Sequence, residues 1–353
     1  MGLPEIIINF QTLAATAVQR SQRGIVTLIL KDDTDTSFES KVYTNSNEIE
    51  AASWTAINKD YIEKAFLGAP TKVIAERIAV ADTDYSTALT RLKNKKWNYL
   101  AIPAIAPGDV ATVSNWIKTE RDANKKAFKA VLPNSASDHE GIINFTTDNI
   151  VVGAKTYTTA QYCARIAGIQ AGLPFTRSST YYVLSEVDSI TSSATPDDDI
   201  NNGQLILVND GAKIKIGRGV NSLTTFTPTK SSIFSKIKIL EGIDLVKDDI
   251  RDTFDGSYVG KVINNYDNKV LFLASVNAYL RSLADQGILD SSFDNKVEIA
   301  LAAQKLYLQG QSVNVMDMSD QEIKEYNTDS KVFASAQVKF VDAMEDLQFT
   351  VYM

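Results

Sequence analysis

One cysteine and one histidine in 353 residues leave little material for metal or thiol chemistry. Cys163 alone can form no internal disulfide, and a thiolate metal cluster needs several cysteines. His139 alone excludes multi-histidine metal sites and leaves little room for a base-activated nucleophile. It sits in the polar stretch Asn134-Ser-Ala-Ser-Asp-His-Glu-Gly141, where a solvated loop residue is expected. Basic runs are missing too: nothing exceeds the pair in Lys93-Asn94-Lys95-Lys96, and the net charge is −7. A nucleic-acid surface would be basic, so no such partner is expected. No apolar run approaches the ~20 residues of a membrane-spanning helix. The first residues show no basic segment followed by an apolar core, so no secretory signal is expected. These absences imply a soluble, acidic protein made in the cytoplasm, without a membrane partner.

What remains is ordinary for a globular chain, 44% hydrophobic and 22% charged. Its length suggests two domains, each able to bury a core. The two tips are unusual. Glu5-Ile6-Ile7-Ile8-Asn9-Phe10 and Leu347-Gln348-Phe349-Thr350-Val351-Tyr352-Met353 both read as apolar strands. Tips are commonly polar and frayed, and an unpaired apolar strand invites pairing with another chain. Either both tips extend the chain's own sheet, or they are arms handed to neighbours.

Between the tips, strands and helices alternate. Gly24 to Leu30 is a continuous apolar run, the pattern of a strand covered on both faces. A strand is expected at 38–43 and an amphipathic helix at 48–66, with Trp54, Ile57, Tyr61 and Ala65 in one stripe. Strand 72–80, helix 84–95, strand 99–105, helix 109–126 and strand 127–132 follow. Short strands at 142–145 and 150–152 lead to a closing helix, 158–172, striped with small residues. This order predicts an α/β three-layer domain with a mainly parallel sheet at 20–180. A strand at 181–187, a polar loop at 188–203 and a hairpin over 204–216 turning at Asp210-Gly211 come next. Helices around 243–254, 273–283 and 296–311, then a strand at 332–340, make 181–340 an α+β domain. Residues 1–19 and 341–353 complete the scheme as extended N- and C-terminal strand arms.

Chemistry is hard to find. No Walker loop is present, and Lys-Asp-Asp-Thr-Asp follows the first strand where a Gly-rich phosphate loop would stand. Gly217-Arg218-Gly219 follows a hairpin strand and reads as a bend. Asp197 to Val208 places Asn202 and Val208 where a calcium loop needs Gly and Glu, so an acidic loop is expected. Cys163, in a helix of small residues, reads as packed. No catalytic residue, cofactor site or metal site is assigned. An α/β nucleotide-binding enzyme and a capsid-like or surface-array protein stay open as rival classes.

Four segments share a different pattern: Thr159-Ala-Gln-Tyr-Cys-Ala-Arg-Ile-Ala-Gly-Ile-Gln-Ala-Gly-Leu-Pro174, Gly217-Arg-Gly-Val-Asn-Ser-Leu-Thr-Thr225, the helical block 236–289, and Val341-Asp-Ala-Met-Glu-Asp-Leu-Gln-Phe-Thr-Val351. In that order they resemble the contractile tail sheath proteins of bacteriophages, in particular the short sheaths of Gram-positive phages, defective prophages and phage-tail-like bacteriocins. The likeness covers 159–353; residues 20–150 match in architecture alone. It implies a structural subunit, not an enzyme, that stacks as hexameric rings around an inner tail tube and contracts to drive that tube through a cell envelope. It further implies assembly in the bacterial cytoplasm into a phage tail or tail-like particle, with the tube, baseplate and tail terminator proteins as partners. Under this resemblance 20–180 face outward and 181–340 assemble. Ile6, Ile7, Ile8, Phe10, Leu347, Phe349, Val351 and Tyr352 make strand contacts between subunits, and Gly217, Gly219, Asn221 and Leu223 mark the assembly domain.

Overall fold

Thirteen strands and nine α-helices are found among residues 23–353, the part of the chain that the computed structural model describes. The N-terminal candidates Ile6, Ile7, Ile8 and Phe10 lie outside those residues. Two compact units divide the rest: 23–244 together with 342–353, and 245–341.

The first unit begins β1 (Ile25–Lys31), β2 (Ser40–Tyr43), α1 (Ala56–Phe66), β3 (Lys72–Ile78), α2 (Ser86–Lys93), β4 (Tyr99–Ala101) and α3 (Val110–Asp122). It continues β5 (Lys129–Pro133), β6 (Ile142–Phe145), β7 (Ile150–Val152), β8 (Lys155–Tyr157), α4 (Thr159–Gly172) and α5 (Pro196–Asn201). The strands β9 (Gln204–Leu205), β10 (Leu207–Asn209) and β11 (Ile214–Ile216) lead to α6 (Ile237–Ser257), which runs past the unit boundary. Seven strands form one sheet in the order β2-β3-β1-β4-β5-β6-β9, parallel throughout except at β2.

The expected two-sided burial of β1 is present. Val26, Leu28 and Leu30 join one apolar cluster with α1 and α4, while Ile25 and Ile29 join another with α2 and α3. That is the three-layer sandwich, with the period-2 alternation splitting one strand between two cores. The small-residue stripe on α4 lets it approach α1 closely: a methyl group on Gly168 would lie 2.0 Å from the Ala65 carbonyl oxygen. Thr158 starts α4 with a capping box closed by Gln161.

The second unit contains α7 (Tyr266–Asp285), β12 (Lys296–Ile299), α8 (Leu301–Gly310), α9 (Asp320–Glu325) and β13 (Ala334–Gln337). β12 and β13 pair antiparallel, and a smaller apolar cluster of Leu308, Val315 and Ile323 lies under α8 and α9.

Several expectations change. The helix expected at 48–66 starts only at Ala56, because Thr55 caps it; Trp54 is buried ahead of it, its indole N–H donating to Tyr43 Oη. The helix expected at 296–311 begins as strand β12, whose Val297 and Ile299 alternate inward. Residues 181–187 form no strand of their own, although Tyr181 and Leu184 donate backbone bonds to β11. The polar loop 188–203 holds α5, started by Pro196 with three aspartates at its positive end. The boundary expected at 180/181 falls inside the first unit, since β9 extends the large sheet and the β10–β11 hairpin packs on its core. Residues 341–353 carry no strand assignment within the single chain.

Candidate functional site

An enzyme of this topology would use the carboxyl ends of β1 and β4, where the strand order reverses. A phosphate there would sit on a helix N-terminus. In this chain that place is filled by Asp32. Its carboxylate accepts from Thr55 N at 2.8 Å, Thr55 Oγ1 at 2.9 Å, Asn58 Nδ2 at 2.7 Å and Thr34 N at 2.8 Å. Burial works against the charged form, but the bonds from Asn58, Thr55 and Thr34 outweigh it and hold the carboxyl at about 2. The protein's own anion therefore occupies the start of α1.

A second charged cluster pairs its charges internally, although the buried Arg121 Nε has no hydrogen-bond partner. Asp244 on α6 receives both terminal nitrogens of Arg121 at 3.0 Å and Lys129 Nζ at 2.9 Å; Lys129 also meets Glu241 at 2.8 Å. Burial pushes the Asp244 carboxyl up, yet these two cations hold it well below the carboxylate range. Arg121 lies in the charged run 119–126, which as a sequence reads as a solvated face. The network fixes the first turns of α6 to β5 and α3 rather than activating a proton.

His139, expected in a solvated loop, is buried, as are Glu140 and Gly141, while Asn134, Ala136 and Asp138 before them are exposed. Gly141 N–H donates to Nδ1 at 3.0 Å, which places the ring proton on Nε2, facing Asp122 at 3.3 Å and Glu140 at 3.7 Å. Burial lowers the pKa of the ring despite those carboxylates. Lys230 lies 3.0 Å from Glu140 and 3.9 Å from Asp122, so one cation already faces both acids. A metal would have to displace the ring proton and the lysine together, and the three donors fit none.

The same turn holds the segment containing Gly217, Gly219, Asn221 and Leu223. Ser222 N–H donates to the Ile142 carbonyl at 2.8 Å and its hydroxyl to the His139 carbonyl at 3.0 Å; Asp138 accepts from the amides of Thr224 and Thr225. Asn221 is wholly buried, donating from Nδ2 to the Phe234 carbonyl at 2.7 Å. Leu223 is buried beside it. These residues are a packed crossover between β11 and α6.

One edge of that crossover carries the root of the C-terminal arm. Ser178 and Thr180 hydroxyls donate to Glu345 Oε1 at 2.8 and 2.6 Å, and the Gly219 amide donates to the same threonine oxygen at 2.9 Å. Arg218 pairs with Asp346 and lies 3.8 Å from Glu345, and Lys236 pairs with Asp342. Beyond this root the side chains are open: Leu347 is 89%, Phe349 79%, Val351 66% and Tyr352 92% exposed. The structure thus brings the Gly217–Leu223 segment to the arm's root, a proximity that spacing in the chain does not reveal.

Two family profiles match this chain: the phage tail sheath protein central domain over residues 79–222, and the phage tail sheath C-terminal domain over 229–353. A tail sheath protein of Clostridium phage phiCD119 is 41% identical over 362 residues, covering all of this chain and 99% of that one. The chain belongs to the phage tail sheath family. It is a structural subunit of a contractile tail, not an enzyme. The protein XkdK of the phage-like element PBSX in Bacillus subtilis is 28% identical over 179 residues, 49% of this chain and 38% of that one. Among solved structures, the contracted helical sheath of the anti-feeding prophage has a TM-score of 0.73 at 11% identity, covering 100% of this chain and 99% of that one. The sheath tail protein of Desulfitobacterium hafniense gives 0.69 at 17% identity, over 80% and 91%. Both share the fold. In this sheath protein the junction between the profile matches, 222 to 229, falls just after the buried crossover, well before the unit boundary at 244/245.

Proposed function

We propose that the subunit polymerises with copies of itself as stacked hexameric rings around an inner tail tube, linked by exchanged terminal strands. On contraction the rings repack while the arms keep subunits joined, and the tube is driven through an envelope. The observation that carries this reading is the arm: 347–351 alternate apolar and polar, 347–353 stand open to solvent, and the residues before them are held on their own subunit. An exposed apolar strand of this kind is covered by pairing elsewhere.

The second unit offers a matching edge. In the β12–β13 ladder, Val297 turns its N–H and C=O away from β13, to the Asn277 side-chain amide at 2.8 and 3.1 Å. That amide closes the β12 edge. By the alternation of an antiparallel ladder, Ala334 and Ala336 point their backbone groups away from β12, and no further strand pairs with β13 among the described residues. We assign β13 as the acceptor of an arm from another copy. Each ladder bond contributes a net ~1 kcal/mol, offset by ordering the arm at ~1–2 kcal/mol per residue. One arm is weak; many arms in a closed ring become strong through effective concentration. Self-assembly and association with a baseplate fit the sheath assemblies of the anti-feeding prophage. The tube and terminator as partners, and assembly in the cytoplasm, belong to the same proposal.

Phe349→Asp or Val351→Asp tests it. Either charge lies where an added strand must pack, so cylinder formation seen by negative stain should stop. Thermal unfolding of the subunit should stay unchanged, because both side chains are exposed in the single chain. Cylinders formed as readily by these variants as by the parent would reject strand exchange through this arm.

A further inference from the structure

We infer that Ser178, Thr180, Arg218 and Lys236 are an anchor for the root of the C-terminal arm, holding residues 342–346 on their own subunit and making Asp346–Leu347 the point where the arm turns toward another copy. This rests on the strand-exchange reading and adds what sets the arm's direction and reach.

The anchor draws on three places in one unit: the stretch after α4, the crossover after β11, and the residue before α6. Its centre is Glu345, whose side chain is only 8% exposed. A carboxylate so covered needs partners, and it has two hydroxyls and Arg218. Asp342 and Asp346 flank it with one cation each. Asp346, whose side chain is itself 79% exposed, is the last arm residue with an ion pair to its own unit, and Met344 between the held acids is open. Thr180 joins the anchor to the buried crossover, since its oxygen also accepts the Gly219 amide. A methyl group on Gly219 would lie 2.6 Å from Ser179 Oγ and 3.2 Å from Ser178 Oγ, so glycine lets the hydroxyl-bearing stretch approach. The Gly217–Leu223 segment therefore acts on assembly through the arm it positions.

The consequence is reach. From Leu347 to Val351 five residues extend at most about 17 Å; freed from Asp342 onward, ten residues would extend about 33 Å. Holding the root halves the reach and narrows the directions, which concentrates the arm at one acceptor and disfavours pairing with a wrong neighbour. Arg218 and Lys236 are about one-third exposed, so the anchor weakens as salt rises.

The test compares full-length Arg218→Glu, Lys236→Asp, Glu345→Gln and the exchange Lys236→Asp with Asp342→Lys. A chain ending at Asp346 is run in parallel. The readouts are the lowest subunit concentration that gives cylinders in low salt, and thermal unfolding of the dissociated subunit. Each single change should raise that concentration about two- to fivefold, with unfolding unchanged, and the exchange should restore it. Glu345→Gln keeps the side chain's volume and reverses no charge, so it reads the anchor even if a charge reversal impairs folding. Cylinders from the shortened chain would reject strand exchange and the anchor together. Failure of the shortened chain alongside parental assembly by the single variants, or an exchange that restores nothing, would reject the anchor alone.

Discussion

At the scale of single residues, the groups that would invite an enzymatic reading are already satisfied by the protein itself. Asp32 is the clearest case, a buried carboxylate accepting four bonds at the start of α1. Asp32→Asn turns an acceptor into a partial donor against those groups and should cost about 2 kcal/mol. Its folded pKa, about 2, lies below the usual 3.8. The stability it contributes is fully present above pH ~4 and is lost as pH falls toward ~2. Acid unfolding of the parent and of Asp32→Asn should differ above that window and converge below it; curves that stay parallel to pH 2 would contradict the assignment. Asn221 and Leu223 show the same economy. Both are buried, so Leu223→Asp should lower the unfolding temperature of the subunit by several degrees, in line with about 2–4 kcal/mol for an unpaired buried charge. An assembly defect with unchanged unfolding would instead place Leu223 on a surface between subunits.

At the scale of elements, periodicity was informative wherever one face of an element is dry. The β1 run, the α4 small-residue stripe and the β10–β11 turn at Asp210-Gly211 all follow from spacing alone. What spacing missed depends on contacts far along the chain. Trp54 continues the α1 stripe in sequence, but Thr55 caps the helix and the indole is held by Tyr43. Val297 and Ile299 look like part of the α8 stripe, and pairing with β13 makes them strand. His139 looks solvated because its neighbours are polar; Asp138 among them accepts the Thr224 and Thr225 amides of the crossover, and the His139 backbone itself bonds Ser222. Arg121 looks like surface charge until Asp244, 123 positions later, is placed beside it. Leu347, Phe349, Val351 and Tyr352 read as a strand from their pattern, but carry no strand assignment in the single chain, and the contacts of the preceding residues with Ser178, Thr180, Arg218 and Lys236 left no mark in the spacing.

At the scale of the whole molecule, the chain carries two folded units and, in the first, a C-terminal stretch whose side chains from Leu347 onward are open. The sheet of the first unit runs from β2, guarded by Lys41, to the two-residue β9, so its edges are short or charged. β13 is neither covered nor charged within 334–337. Under the proposed exchange, a donor and an acceptor on one chain give open helical filaments if the rotation between copies does not close on itself, and a ring if it does. The central claim is that the arm from Leu347 onward is what joins the subunits. Negative-stain electron microscopy of the purified full chain, beside one ending at Asp346, tests it most directly. The account predicts hollow, transversely striated cylinders from the full chain and only dispersed, folded subunits from the shortened one; cylinders of equal length and number from both would contradict it.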